Sequence, residues 1–282
     1  MDNTTWQGML KLLRPKQWVK NIFVLAPLVF AGQFRDPAAV RQAALATALF
    51  CIAASAVYIV NDLHDVGRDR LHPLKCKSRP LAAGVVSPRA ALLLLGGLYG
   101  LLFAGWWLAP AVVYVTVAYL LLNVAYTFVL KQQPVVDIFV IAVGFVLRVY
   151  AGAIALAAPL SNWMFITSLC LALYLAAIKR RQELLQTGTE GRAVLEKYSV
   201  ALVNRYAEMS ATGALVFYSL FVVTSRPEMV ITIPLVLFGL FRYWYVVEVL
   251  EGGESPSDVL FADGQLLLTV VAWVGLCVWV LW

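Results

Sequence analysis

Three aspartates, Asp62, Asp65 and Asp69, stand at i, i+3 and i+7 within Asn61-Asp62-Leu63-His64-Asp65-Val66-Gly67-Arg68-Asp69. On a helix, steps of three and four residues share one face. Three carboxylates on one face repel each other unless a cation sits among them. Hard divalent cations take oxygen ligands, and Mg²⁺ is usually held by one or two carboxylates together with substrate phosphates. Asn61 adds a neutral oxygen beside the three acids. The same spacing also fits a solvated helix end whose aspartates pair with Arg68, Arg70 and Lys75. The run Arg70-Leu71-His72-Pro73-Leu74-Lys75-Cys76-Lys77-Ser78-Arg79-Pro80 follows directly. Such a basic stretch can clamp phosphates while the aspartates hold a metal.

A second charged group is Lys179-Arg180-Arg181-Gln182-Glu183. Lys179 and Glu183 share a helix face. The cluster reads either as a stop-transfer signal or as a cationic face for phosphate. Tyr126 and Lys131 flank the end of an apolar stretch, and Asp137 and Arg148 lie in the next one. Asp137 is expected near the membrane edge, facing water. Arg148 is 11 residues further on, roughly 16 Å deeper by helical rise. It should face the bundle interior, as a functional group or as one paired with a backbone carbonyl or with the neighbours of Asp137. Arg242 reads as an interfacial snorkeller or a functional group.

The elements that position these residues are apolar. Of the 282 residues 62% are hydrophobic and 13% charged, with mean hydropathy +0.80. A soluble fold cannot hide that much apolar surface, so a bilayer must solvate most of it. The nine Trp and twelve Tyr suit interfacial belts. At about 20 apolar residues per passage, nine spans are expected near 18–35, 40–61, 89–108, 110–130, 135–157, 161–180, 207–225, 229–250 and 265–282. The expected fold is therefore an all-α polytopic membrane bundle, one unit over 1–282. No short apolar stretch with a small-residue cleavage site opens the chain, so a cleavable signal peptide is not expected.

Orientation follows from the basic residues. With a cytoplasmic N-terminus, 17 of 22 Lys and Arg fall inside: positions 11, 14, 16, 20, 68, 70, 75, 77, 79, 89, 131, 179, 180, 181, 192, 197 and 205. Arg35, Arg41 and Arg226 fall outside, and Arg148 and Arg242 within spans. That bias puts the N-terminus in and the C-terminus out. It also puts two charged loops, about 62–88 and 181–206, on the cytoplasmic side of the plasma (inner) membrane. The net charge of +6 belongs to these flanks and does not indicate nucleic acid. Cys51, Cys76, Cys170 and Cys277 are scattered without a CxxC pair and read as small apolar residues.

Together these residues make a pattern. Asn61-Asp-Leu-His-Asp-Val-Gly-Arg-Asp69, followed by Arg79-Pro80-Leu-Ala-Ala-Gly84, resembles the NDxxDxxxD motif and RP-x-x-x-G turn of the UbiA superfamily of intramembrane prenyltransferases. Other stretches resemble one branch of it, the decaprenyl-phosphate phosphoribosyltransferases. They are Arg14-Pro-Lys-Gln-Trp18-Val-Lys20-Asn21, Asp69-Arg-Leu-His-Pro73, Gly144-Phe-Val-Leu-Arg148 with Ala151-Gly152, Ser161-x-Trp163, and Lys179-Arg-Arg-Gln-Glu183-Leu184. The likeness covers nearly the whole chain. It implies transfer of a 5-phosphoribosyl group from phosphoribosyl pyrophosphate to a polyprenyl (decaprenyl) phosphate. The lipid product would feed D-arabinofuranose donors for cell-envelope glycan.

One departure from the wider superfamily supports that branch. Aromatic prenyltransferases carry a second acidic motif, DxxxD, after the sixth span, and this chain has Lys179-Arg-Arg-Gln-Glu183 there. A prenyl diphosphate with two metals suits two acidic clusters. Two separately phosphorylated substrates suit one acidic and one basic cluster. The acidic-TGGT loop of soluble phosphoribosyltransferases is absent. The resemblance implies that Asp62, Asp65 and Asp69, with Asn61, hold Mg²⁺ on the pyrophosphate. Lys20, Arg79, Lys131 and Arg148 would bind phosphates, with Lys179 and Arg180 taking the lipid or ribose phosphate. Asn21 and Tyr126 would hydrogen-bond nearby, and the polyprenyl tail would lie in an apolar groove open to lipid. The competing readings are prenyl transfer from a prenyl diphosphate to an aromatic or other small acceptor, and solute transport. No internal repeat favours transport. Self-association into a homo-oligomer is left open.

Overall fold

Proline opens many of the helices, because its missing N–H and fixed φ fit the first helical turn. The computed structural model describes residues 3–71, 75–159, 161–187, 193–250 and 256–282, and the regular elements among them are all helical. His72, Pro73 and Leu74 of the basic run, Arg192 of the orientation count, and residues 188–191 of the second charged connection lie outside the described residues.

The chain begins with α1 (Asn3–Leu13), a 3-10 stretch Pro15–Leu25, and the short α2 (Ala26–Phe30). It continues through α3 (Pro37–Leu71), α4 (Lys75–Ser78), α5 (Pro88–Trp106), α6 (Pro110–Phe128), α7 (Val136–Ala155), α8 (Asn162–Thr187) and α9 (Val200–Ser225). It closes with α10 (Ile233–Glu248), α11 (Pro256–Ala262) and α12 (Gly264–Val280). Ser87, Ser199 and Asp263 cap α5, α9 and α12, each side chain accepting the N–H three residues on.

Seven helical segments among the described residues are long and apolar enough to cross a membrane: α3, α5, α6, α7, α8, α9, and α10 with its 3-10 lead-in from Pro227. α12 is a shorter apolar helix. Large apolar side chains such as Leu93, Phe103, Trp107, Phe241 and Trp279 point outward, which is where lipid solvates a bundle. The chain is a multi-pass membrane protein.

Three expectations change. The first span, expected near 18–35, is not one α-helix. Pro27 has no N–H to donate back to Phe23; instead the Ala26 N–H bonds to the Phe23 carbonyl, three residues back. The result is 3-10 geometry followed by a new helix. The charged loop expected from 62 begins later, because α3 runs unbroken to Leu71. At 35 residues α3 is roughly 52 Å long, well beyond a ~30 Å hydrocarbon layer. Its last turns therefore carry Asp62, Asp65 and Asp69 as rigid helix. Likewise α8 runs to Thr187, so Lys179 to Glu183 are helical rather than at the start of a loop.

Lipid does not squeeze helices together as water does, so packing relies on small residues that let backbones approach. The inner face of α3 is built from Ala39, Ala43, Ala46, Ala53, Ala54 and Ala56, all buried. At Gly105 a Cβ would strike Leu49 of α3, and at Gly152 of α7 it would collide with the Val24 carbonyl. The 3-10 stretch is thus wedged against α3 and α7. Two larger cores result, one among α3, α5, α6 and α7 and one among α7, α8, α9 and α10, and α7 belongs to both.

Candidate functional site

The charged residues converge at the end of the bundle where α3, α6 and α8 finish and α7 begins. Arg79 reaches it from a turn. Ala83 N–H bonds to Arg79 O, Val86 N–H bonds to Pro80 O, and Gly84 takes φ +73°, a conformation glycine adopts without steric cost. Buried Leu81 and Val86 pin that turn against Leu12 and Ile59.

Arg79 Nη1 lies 3.0 Å from Asp62 Oδ1 and is also bonded to Asp69 Oδ2. Asp62 and Asp69 are 2% and 4% exposed. Arg14 Nη2 meets Asp62 Oδ1 at 2.5 Å, with its guanidinium 4.8 Å above the Tyr58 ring. Arg14 itself holds φ +51°, a left-handed conformation that costs a non-glycine residue roughly 1–2 kcal/mol. Lys131 Nζ stands 3.7 Å from Asp65 Oδ1. Asn61 Oδ1 accepts from the Thr127 hydroxyl.

No three His, Cys, Asp or Glu among the described residues form a ready metal cage. The physical reason is visible in the partners: a guanidinium already sits between Asp62 and Asp69. The donor set still suits a hard divalent cation. It offers three carboxylates and an amide oxygen, and Asp65 Oδ1 is buried without a hydrogen bond. Arg79 marks the position where positive charge is demanded.

Deeper in the bundle, Arg148 is buried at 5% exposure. Its Nε donates to Asn21 Oδ1 at 2.8 Å, Nη1 to the Gly144 carbonyl at 2.7 Å and Nη2 to the Tyr119 hydroxyl at 3.0 Å. The rings of Tyr119, Phe145 and Phe50 lie 4.8, 5.2 and 5.7 Å from its guanidinium carbon. Asn21 is fully buried and donates to Cys51 Sγ at 3.2 Å. These hydrogen-bond partners are all neutral, so they hold Arg148 in place without cancelling its charge. Lys20, on the 3-10 stretch, lies within electrostatic reach of Arg148, Lys179 and Arg14, and of Asp258 on α11.

Arg180 differs from its expectation. Rather than lining an open cationic face, it is 1% exposed, with Nη2 2.8 Å from Asp137 Oδ2 and Nη1 bonded to Glu183. Tyr126 also hydrogen-bonds to it. Asp137 does not face water: it is fully buried, and the Tyr198 hydroxyl donates to its Oδ1 at 2.6 Å. Arg242 is held by both oxygens of Asp263, at 3.1 and 2.7 Å. Thr127, Tyr119 and Tyr198 are site neighbours that the quoted motifs did not contain, and Arg14 opened one of those motifs without being given a role. Arg14 carried a signal, its place next to Pro15 in the basic N-terminal run.

Residues 22–261 match the family profile described as the UbiA prenyltransferase family. Decaprenyl-phosphate phosphoribosyltransferase of Mycolicibacterium smegmatis is 35% identical over 95% of this chain and 90% of its own length. The protein of the same name from Mycobacterium tuberculosis is 36% identical over 95% of this chain and 92% of its own. The solved structure of a UbiA homologue from Archaeoglobus fulgidus, bound to GPP and Mg²⁺, has the same fold. Its TM-score is 0.73 at 19% identity, covering 97% of this chain and 99% of that one.

Proposed function

The chain belongs to the UbiA prenyltransferase family, and from that premise we propose that it transfers the 5-phosphoribosyl group of phosphoribosyl pyrophosphate to a polyprenyl phosphate. A lipid-phosphate oxygen attacks ribose C1, the C1–O bond to pyrophosphate breaks, and pyrophosphate leaves. The product is a lipid-linked sugar phosphate, which would feed D-arabinofuranose donors for cell-envelope glycan assembly.

The observation that carries this reading is the separation of the charges. One acidic cluster stands beside a distinct group of cations, Lys20, Arg148 and Lys179, among which Arg148 has only neutral hydrogen-bond partners. A single diphosphate needs metal-binding acid on both sides. Two substrates with separate phosphates need acid for one and base for the other. Asp62, Asp65 and Asp69, with Asn61 beside them, would hold Mg²⁺. When bound, Mg²⁺ neutralises the charge that builds on the departing pyrophosphate. Arg79 and Lys131 would then exchange their carboxylate contacts for phosphate oxygens. Arg148, oriented by Asn21, Tyr119 and the Gly144 carbonyl, would bind phosphate together with Lys20 and Lys179. Tyr126 would hydrogen-bond beside them. The attacking phosphate is already anionic, so no side chain needs to remove a proton.

The site would face the cytoplasm across a plasma membrane that the whole chain, 1–282, crosses nine times as one unit. The two passages beyond the seven long helices can be accounted for. The 3-10 stretch and α2, at ~2.0 and ~1.5 Å per residue, together cover roughly 30 Å. They begin beside Asp62 at Arg14 and end where Phe30 meets Phe221 and Trp273, at the other end of the bundle. α12, a shorter apolar helix, would be the ninth.

Membranes carrying the protein, incubated with radiolabelled phosphoribosyl pyrophosphate, polyprenyl phosphate and Mg²⁺, should yield labelled lipid, and a chelator should stop it. If lipid becomes labelled only from a labelled prenyl diphosphate and an aromatic acceptor, the reading is wrong and prenyl transfer replaces it.

A further inference from the structure

Resting on that reading, we propose that Arg180 is not a phosphate ligand but the centre of a strut, built with Asp137, Glu183 and Tyr198, that sets where Lys179 meets a substrate phosphate. A ligand for phosphate must have charge to offer. Arg180 faces two carboxylates, Asp137 and Glu183, and donates a hydrogen bond to the Tyr126 oxygen. Its side chain is 1% exposed, so the guanidinium lies in the protein interior. A phosphate arriving there would add negative charge to a group already over-compensated, in a space with no solvent.

Lys179 is the next residue toward the start of α8, about 100° around the helix. It is half-buried and within electrostatic reach of Lys20. Two ammonium groups held near each other in a bundle repel, and an anion between them removes the repulsion. Whether they face the same anion depends on the rotation of the last turns of α8, and that rotation is what Arg180 locks.

The lock draws on three segments. Asp137 lies in the first turn of α7, Arg180 and Glu183 lie on α8, and Tyr198 follows the 3-10 turn Ala193–Lys197. Tyr198 donates to Asp137 Oδ1 and accepts the Val135 N–H at 2.5 Å. Val135 has φ +68°, an outlier for a β-branched residue that persists only where its surroundings over-determine it. Burial, and then the bond to Asp137, push the Tyr198 hydroxyl above the ordinary phenol range, so it remains a donor at neutral pH. Asp137, Glu183 and Tyr198 are thus positioning residues for the transfer, acting through Arg180 on Lys179.

The test is a set of variants purified in detergent, with thermal unfolding and separate KM and kcat measurements for the two substrates. Arg180→Met alone should unfold at lower temperature and raise the KM of one phosphorylated substrate about tenfold, because it strands Asp137. Asp137→Asn with Arg180→Met keeps the shape without the charges and should restore that KM to within about threefold of wild type. Lys179→Met should raise the same KM by about thirtyfold or more. Tyr198→Phe should raise it about threefold with kcat unchanged. A folded double variant as impaired as Arg180→Met would show that Arg180 touches phosphate, and would overturn the strut. So would a Tyr198→Phe protein kinetically identical to wild type, which keeps the test alive if Arg180→Met does not fold. Thermal protection by inorganic phosphate gives a readout independent of turnover. Equal protection of wild type and the double variant, lost in Lys179→Met, supports the strut even if wild type proves to transfer no phosphoribosyl group. Loss of protection in the double variant overturns it.

Discussion

Two aspartate–arginine pairs sit at the same end of this bundle and are built for opposite purposes. At Asp62 the partners Arg14 and Arg79 keep 28% and 25% of their side chains exposed. Both come from chain segments outside α3, and Arg79 is shared with Asp69. At Asp137 the partner Arg180 is 1% exposed, and Glu183, Tyr126 and Tyr198 close around the pair. The first arrangement, part-exposed, would let its cations give way to a metal and phosphates at modest cost, as the proposed function requires. The second cannot be opened without stranding a charge in a dry interior, where the penalty is several kcal/mol. Charge type does not distinguish a ligand from a strut here; solvent access and the number of competing partners do.

Substitutions can break or sharpen that contrast. The largest effect should come from Asp62→Ala, which removes a carboxylate from the face proposed to hold Mg²⁺. Transfer should fall by about a thousandfold, roughly 4 kcal/mol of barrier, while the protein stays folded in detergent. Near-normal turnover in the labelled-lipid assay would remove Asp62 from the chemistry. Arg180→Met should act instead on stability, costing about 3 kcal/mol in denaturant unfolding. If it unfolds like wild type, the buried pair is not the strut described. Arg14→Gln leaves Asp62 its second partner, Arg79, so kcat/KM should drop only about fivefold, ~1 kcal/mol. A loss as large as that of Asp62→Ala would make Arg14 a substrate-binding group in its own right. The smallest effect should be Glu228→Gln, whose partner Arg226 is 3.9 Å away with both side chains more than a third exposed. A shift under ~0.5 kcal/mol is expected, and a larger one would mean that exposure alone does not separate the two kinds of pair.

How far the sequence reached follows the same division. The acid face of α3 was legible because i, i+3 and i+7 spacing depends on the helix alone. The turn that presents Arg79 was legible through Pro80 and Gly84. The neighbours that finish the site were not. Thr127 lies 66 residues from Asn61, Tyr198 61 from Asp137 and Arg14 48 from Asp62, and nothing local encodes such pairings. The burial of Asp137 was misjudged for this reason. A carboxylate near the start of a helix looks water-facing until Arg180 and Tyr198 arrive from other elements to cover it. The length of α3 beyond the hydrocarbon was also missed, since hydropathy registers where apolar residues stop and not where the helix does.

The three-residue repeat of Pro15–Leu25 has a geometric result of its own. In a 3-10 helix residues at i and i+3 eclipse, whereas an α-helix would swing each successive third residue by about 60°. Gln17, Lys20 and Phe23 therefore stack in a straight column, all of intermediate exposure, and Asn21 and Val24 form a parallel column that is fully buried. The first column descends from an amide through an ammonium to a ring packed edge-on against Phe145. It makes a graded rail from the charged mouth into the apolar interior. Rewinding this stretch to α would shorten it by roughly 5 Å and splay the rail around the axis, separating the ammonium from the greasy track beneath it.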